Sequence, residues 1–77
     1  EDPGLFEVLR ALRREIAQER GVPPYLIFND ATLREMARLR PVTDEALLRV
    51  KGVGERKQLD FGPRFLRLLR AYRAPGA

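Results

Sequence analysis

Val50-Lys51-Gly52-Val53-Gly54 is the stretch that decides the fold, and Glu55-Arg56-Lys57 follows it directly. Glycine adopts positive φ without a Cβ penalty and lets another backbone come close. Between two helical segments, such a turn ends one helix and opens the next, whose free N–H groups and positive dipole end attract an anion. Two interpretations stay open. The turn is a tight corner with Val53 in the core, or it is a phosphate site that uses the adjacent basic residues.

Length and composition restrict the class of protein. The 77 residues suffice for one compact domain and are too few for two. The chain has no cysteine and no histidine, which excludes disulfides and thiolate metal sites and removes the commonest general base. No metal and no cofactor are therefore predicted. The longest aromatic and aliphatic run, Tyr25-Leu26-Ile27-Phe28, is too short for a membrane span.

Positive charge is concentrated in the second half of the chain. Residues 1–45 carry seven arginines against nine acids, whereas residues 46–77 carry eight basic residues against two acids. The overall charge is +4. This excess favours a polyanionic partner through long-range attraction. Since no membrane span or signal segment is predicted, the cytoplasm is the expected location by default. Because the chain starts at Glu1 without methionine, we expect a piece of a larger protein.

Helical periodicity and breakers predict an all-α fold of five short helices, since no segment alternates like a strand. The first helix covers about residues 4–20 and ends at Gly21, with Glu7, Arg10, Arg13 and Arg14 away from the centre of its apolar stripe. The second, residues 31–39, is capped by Asn29 or Asp30, and the short third helix is capped by Thr43. The fourth covers residues 55–60 and the fifth begins at Pro63, because Gly62 breaks the pattern. The residues predicted to face the core are Leu5, Val8, Leu9, Leu12, Ile16, Leu33, Met36, Ala37, Leu47, Leu48, Val50, Phe65, Leu68, Leu69 and Tyr72.

Catalysis is not predicted. The chain has no nucleophile elbow and no phosphate-binding Walker loop. Its acids mostly lie beside arginines on predicted solvent faces, as Glu15 does near Arg14, and such pairs are usually solvated. No small-molecule substrate is therefore expected, because a catalytic site needs convergent groups that this chain lacks.

Nucleic-acid binding is the stronger interpretation, and three features carry it. The first is the glycine turn with its basic neighbours. The second is Tyr25, which follows two prolines and lies near Arg20, because aromatic faces stack on unpaired bases. The alternative for Tyr25 is packing into the core beside Phe28. The third feature is the basic side of the fifth helix, for which a plain solvated face is the alternative. Its members are Arg64, Arg67, Arg70 and Arg73.

The chain from Leu5 to Arg73 resembles the HRDC domain, the helicase and RNase D C-terminal module of RecQ-type DNA helicases. The resemblance rests on two motifs in order, and it is closer to bacterial RecQ helicases than to RNase D. The matching residues are Val22-Pro23-Pro24-Tyr25, Ile27-Phe28, Asn29-Asp30-Ala31-Thr32-Leu33, Met36-Ala37, Arg40-Pro41, Leu47-Leu48, Gly52-Val53-Gly54-Glu55-Arg56-Lys57 and Phe61-Gly62.

The resemblance implies a non-catalytic five-helix bundle that helps a parent ATP-dependent helicase to hold single-stranded or junction-like DNA. It divides the chain into an extension at residues 1–4, the domain at 5–73 and a linker at 74–77. Other domains of the same helicase are the alternative partner, in which case the module docks on the helicase core. We expect a monomer in the bacterial cytoplasm, associated with the nucleoid. The predicted nucleic-acid-binding residues are Tyr25, Arg20, Lys51, Arg56, Lys57 and Arg14, and the predicted structural turn residues are Gly52, Val53 and Gly54.

Overall fold

A computed structural model describes residues 2–76, which form four α-helices and one short 3₁₀ helix, with no strand among them. The helices are α1 (Pro3–Arg20), the 3₁₀ helix (Pro24–Leu26), α2 (Asp30–Leu39), α3 (Asp44–Leu48) and α4 (Glu55–Ala71). The all-α prediction is confirmed. The predicted terminal segments, residues 1–4 and 74–77, include Glu1 and Ala77, which lie outside the described residues.

Polar caps set most of the helix boundaries, as the sequence predicts. Asn29 caps α2, since its side-chain oxygen accepts a hydrogen bond from the Thr32 N–H at 2.8 Å. Thr43 caps α3 in the same way, with its hydroxyl 3.1 Å from the Ala46 N–H. Gly21 ends α1 in the left-handed conformation, with φ of 67°. These three predicted boundaries are confirmed.

The prediction of separate fourth and fifth helices is wrong, because residues 55–71 form one continuous helix with Pro63 inside it. A proline in a helix interior removes one hydrogen bond and costs about 3 kcal/mol. Pro63 lies on the exposed side of α4, while Phe61 and Phe65, on either side of it, are both buried. Burial of each such side chain stabilises the folded state by about 1.5–3 kcal/mol. The continuous apolar face therefore outweighs the local break.

The core lies between α1 and α2, between α3 and α4, and where α1 meets α4. Phe28 is at its centre and makes edge-to-face contacts with two rings of α4, at centroid distances of 5.9 Å to Phe61 and 5.1 Å to Phe65. Such ring pairs contribute about 0.5–1.5 kcal/mol each beyond their buried area. The segment that follows the 3₁₀ helix is thereby anchored to α4.

Three predicted positions differ from the structure. Val8 and Leu48 are exposed rather than buried, because each lies at the edge of its helix's apolar stripe. Arg13, predicted to lie away from the stripe, is only 8% exposed. It points between α1 and the start of α2, where partners distant in sequence accept its hydrogen bonds.

The start of α1 lies against the end of α4. A methyl group on Gly4 would come within 2.8 Å of the Tyr72 hydroxyl oxygen. Arg40, which ends α2 with φ of 50°, places its guanidinium 5.5 Å from the centre of the Tyr72 ring. These contacts close the bundle at this end.

Candidate nucleic-acid interface

Tyr25 lies at the surface, on the 3₁₀ helix that follows α1. Pro23 is extended, with φ of −63° and ψ of 145°, and Pro24 begins the 3₁₀ helix. The Leu26 and Ile27 N–H groups donate to the Pro23 and Pro24 carbonyls at 3.0 Å each. This short proline-set turn leaves the Tyr25 residue 64% exposed. The ring is therefore available to a base, and the core-packing alternative does not describe it.

Arg20 and Lys57 approach the same pair of aromatic rings from two helices. The Arg20 guanidinium carbon lies 4.6 Å from the centre of the Phe61 ring, and the Lys57 ammonium nitrogen lies 5.8 Å from that of Phe28. The two rings are themselves in contact. A cation over an aromatic face is attracted by the ring quadrupole, which holds the long side chain in place. The end of α1 and the start of α4 thus present two ordered positive charges.

Arg56 lies beside Lys57 in the sequence, at the start of α4. Its side chain is exposed and its Nε lies 3.1 Å from an Asp60 carboxylate oxygen, one turn further along the helix. Such an exposed i,i+4 pair is weak and leaves the other guanidinium donors to solvent. We name Tyr25, Arg20, Arg56 and Lys57 the Tyr25 surface.

Lys51 and Arg14 occupy other positions. The Lys51 side chain is exposed beside the first turn of α2, and its carbonyl accepts a hydrogen bond from the Thr32 hydroxyl at 3.0 Å. Arg14 is exposed on α1 and makes no ion pair or side-chain hydrogen bond within residues 2–76. The structure does not bring either residue to the two rings that hold Arg20 and Lys57.

The glycine turn connects α3 to α4, and its three central residues differ in role. Gly52 has φ of 96°, and a Cβ there would lie 2.1 Å from the Thr32 hydroxyl oxygen. Val53 is buried, with its N–H donating to the Val50 carbonyl at 3.0 Å. Gly54 is extended and caps α4 without a side chain, and Glu55 brings a negative charge to the first turn. This acid competes with an external anion for the helix N-terminus.

The arginines on the last part of α4 mostly serve the fold. Arg64 forms ion pairs with Glu15 and Glu19 of α1, and its hydrogen bond holds the pKa of the Glu19 carboxyl below its usual value. Arg70 donates to the Val42 carbonyl at 2.7 Å, and Arg73 donates to the carbonyls of its neighbours. The predicted basic face of this helix therefore has most of its charged groups engaged within the domain.

Arg13 is the residue that sequence reasoning missed. Its NH1 donates to the Phe28 carbonyl at 2.9 Å and lies 2.8 Å from the Asp30 carboxylate. The hydrogen bond from Arg13 lowers the pKa of Asp30 below its usual value. Arg13 therefore ties α1 to the segment that follows Tyr25. A signal was present in the sequence, because position 13 falls in the same helical sector as Leu9 and Ile16.

Residues 2–76 contain no group of three or more acidic side chains arranged to hold a metal ion. No helix in the same part of the chain combines the length and the apolar character needed to cross a membrane. The fold and the surface together define a small all-α module with an exposed Tyr25 and with Arg20 and Lys57 held over two core rings.

The sequence profile of the HRDC domain matches residues 2–69. The chain is 51% identical over 72 residues to the "ATP-dependent DNA helicase RecQ" of Bacillus subtilis and 44% identical over 73 residues to that of Haemophilus influenzae. It is 39% identical over 69 residues to the "ATP-dependent DNA helicase UvrD2" of Mycobacterium tuberculosis. These alignments cover 94%, 95% and 90% of the chain, and 12%, 12% and 10% of the respective relatives.

A solved structure, "D. radiodurans RecQ HRDC domain 3", superposes with a TM-score of 0.83 at 38% identity, over 86% of this chain and 87% of that one. The chain therefore belongs to the HRDC domain family, the accessory, non-catalytic domain found in RecQ-type helicases. The resemblance predicted from the sequence is confirmed. The chain spans about 12% of the length of the RecQ helicases it matches.

Proposed function

We propose that this domain binds single-stranded or partly single-stranded DNA weakly, mainly through charge, and so tunes the substrate choice of a RecQ-like helicase. The observation that carries the proposal is the exposed Tyr25 ring on a proline-set turn, next to the end of α1 that carries Arg20. Stacking on an aromatic ring with cations nearby is the common way to hold unpaired bases without reading their sequence.

The residues of the Tyr25 surface contact different parts of the DNA in this proposal. Tyr25 offers a face to a base, while Arg20 and Lys57 offer charge to the phosphates. Because Phe61 and Phe28 already hold these two cations, binding orders fewer rotatable bonds than it would for free side chains. Arg56 adds an exposed charge at the edge of this surface. Salt should weaken such binding strongly, since it depends on the release of counterions.

ATP hydrolysis and strand separation belong, in this proposal, to other parts of a longer chain. The relatives named ATP-dependent DNA helicase are many times longer than this domain. Their names support a DNA helicase as the parent. The location of that parent in the bacterial cytoplasm, in association with the nucleoid, is part of the proposal. The domain would work there as a monomer, holding one strand while the helicase core acts.

Substitution of Tyr25 by alanine is expected to weaken binding to single-stranded DNA by about 5- to 150-fold, from ~1–3 kcal/mol per stacked base. The melting temperature should change little, because the ring is exposed. Fluorescence anisotropy with a labelled oligothymidine measures the affinity, and thermal unfolding measures the melting temperature. Tyr25→Phe is the matched control, since it keeps the stacking face and should keep most of the affinity. Unchanged affinity in Tyr25→Ala would contradict stacking.

A second function, docking onto the core of the same helicase, is favoured by one observation. Leu59 is 76% exposed on α4, between Arg56 and Asp60. A large exposed apolar side chain with charges of both signs nearby is suited to contact another protein surface. This candidate needs no nucleic acid, so the two functions can be separated by measurement.

Charge reversal at Arg56 and Lys57 discriminates between the two functions. With about four phosphate contacts, log K against log salt should have a slope near −3, from ~0.7 per contact on single strands. The double variant Arg56→Glu with Lys57→Glu should reduce that slope by about 1.4. Arg49→Glu, at the exposed end of α3, is a single charge-reversal control outside the Tyr25 surface. An unchanged slope and affinity in the double variant would favour docking over DNA binding.

A further inference from the structure

Phe6 of α1 holds two arginines from two different helices. The guanidinium carbon of Arg34, on α2, lies 5.1 Å from the centre of the Phe6 ring, and that of Arg10, on α1, lies 5.8 Å from it. Two cations on one ring repel each other, so an anion between or above them would be stabilised. Planar guanidinium groups held in this way still direct donors outward, in the geometry that suits phosphate oxygens.

The charge around this ring is positive although the N-terminal half of the chain is acidic overall. Arg34 makes no ion pair and no side-chain hydrogen bond within residues 2–76, and the only acid that pairs with Arg10 there is the exposed Glu7. Asp30 is already bound to Arg13. The fields of Arg34 and Arg10 also help to lower the pKa of Asp30, after the hydrogen bond from Arg13, which shows that these charges converge. The charges that these contacts bring together are three arginines against two acids: Arg10, Arg13, Arg34, Glu7 and Asp30.

We propose that Arg34, Arg10 and Arg14 form a second contact for the nucleic-acid backbone, which we name the Arg34 surface. It lies along the seam between α1 and α2, and it rests on the proposed function of the Tyr25 surface. Its ligand is the phosphate chain of a single strand, because the surface offers guanidinium donors and no ring as exposed as Tyr25.

The two surfaces are in reach of one strand. Arg10 and Arg20 are ten residues apart on the continuous helix α1, which corresponds to about 15 Å along its axis. Arg14 lies between them on the exposed side of α1. A strand stacked on Tyr25 therefore continues over α1 to Arg34, and the length of DNA that the domain holds is set by both surfaces together.

Binding to oligonucleotides of two lengths tests the Arg34 surface separately from the Tyr25 surface. We would titrate the domain with oligothymidines of about 5 and about 15 nucleotides, within the usual range of single-strand site sizes. Arg34→Ala should weaken the longer complex about fivefold at ~0.1 M salt, the counterion-release value of one contact with slope ~0.7, and leave the shorter one unchanged. Tyr25→Ala should weaken both.

Arg38→Ala is the matched control, since Arg38 lies one turn further along α2 and is ion-paired with Glu35 at 2.7 Å. It should leave both affinities unchanged. Two outcomes would overturn the Arg34 surface alone. In the first, Arg34→Ala and Arg38→Ala lower the affinity equally. In the second, Arg34→Ala changes the affinity for neither oligonucleotide while Tyr25→Ala weakens binding to both. Failure of the wild-type domain to bind either oligonucleotide would overturn both proposals. A polyglutamate peptide that binds through Arg34 and displaces the longer strand would show that the ligand of the Arg34 surface is an acidic protein segment instead of DNA.

Discussion

Substitution of Gly52 by alanine is expected to lower the free energy of unfolding by about 3–4 kcal/mol, a large part of the total stability of a domain this size. The backbone at Gly52 has φ of 96°, where a Cβ costs about 1–2 kcal/mol. The added methyl would also lie 2.1 Å from the Thr32 hydroxyl oxygen. Moving that hydroxyl breaks its bond to the Lys51 carbonyl, which adds about 1–3 kcal/mol.

Thermal unfolding followed by circular dichroism measures this effect, and the melting temperature should fall by about 15–25 °C. Gly54→Ala is the control within the same turn. Gly54 has φ of −90° and open space around its Cβ position, so only its N-cap preference is lost, at a cost of a few tenths of a kcal/mol or slightly more. Similar melting temperatures for the two variants would contradict the close approach of Thr32 to Gly52.

Substitution of Arg13 by alanine is the second large effect, with an expected loss of about 2–3 kcal/mol in the free energy of unfolding. The change leaves the Phe28 carbonyl without its donor and removes the link between α1 and Asp30. The 3₁₀ helix that carries Tyr25 should open more often, since one anchor of its following segment is gone. Amide hydrogen exchange at Leu26 and Ile27 reports this opening, and denaturant unfolding reports the total loss.

Arg14→Ala is the neighbouring control and should change stability by less than about 0.5 kcal/mol, because Arg14 is exposed.

The pH dependence of stability tests the contact between Arg13 and Asp30, by comparison of the wild-type domain with Asp30→Asn. Because Arg13 lowers the pKa of Asp30, the stabilisation is present above the unfolded-state pKa, near 4, and is lost as the pH falls through the folded-state value. The stability difference should therefore be constant at neutral pH and shrink below about pH 4. A difference that persists at low pH would contradict the ionic contact.

Local signals were sufficient to predict the helix ends, because caps act within one turn. Asn29 and Thr43 each bind an N–H three residues ahead, and Gly21 ends α1 through its own φ. The length of α4 could not be predicted in this way. Gly62 and Pro63 are strong local breakers, and only the packing of Phe61 and Phe65 against the rest of the bundle overrides them.

Long-range partners limited what the sequence could say about the surface. Arg13 and Arg64 were both predicted to lie away from the apolar stripes of their helices because they are charged, yet their partners lie on other elements, up to 49 residues away. The charge count for the second half of the chain was correct, but it could not show that Arg70 binds the Val42 carbonyl. The sequence also left open whether Tyr25 is exposed, because its exposure depends on the 3₁₀ helix that Pro24–Leu26 form.

The contact of Gly4 with Tyr72 determines how the domain fits into a longer polypeptide. The chain enters the bundle at the start of α1 and leaves it at the end of α4, and these two points are adjacent. Segments joined to the two ends of the domain would leave it side by side, so its insertion or removal would change the spacing of those segments little.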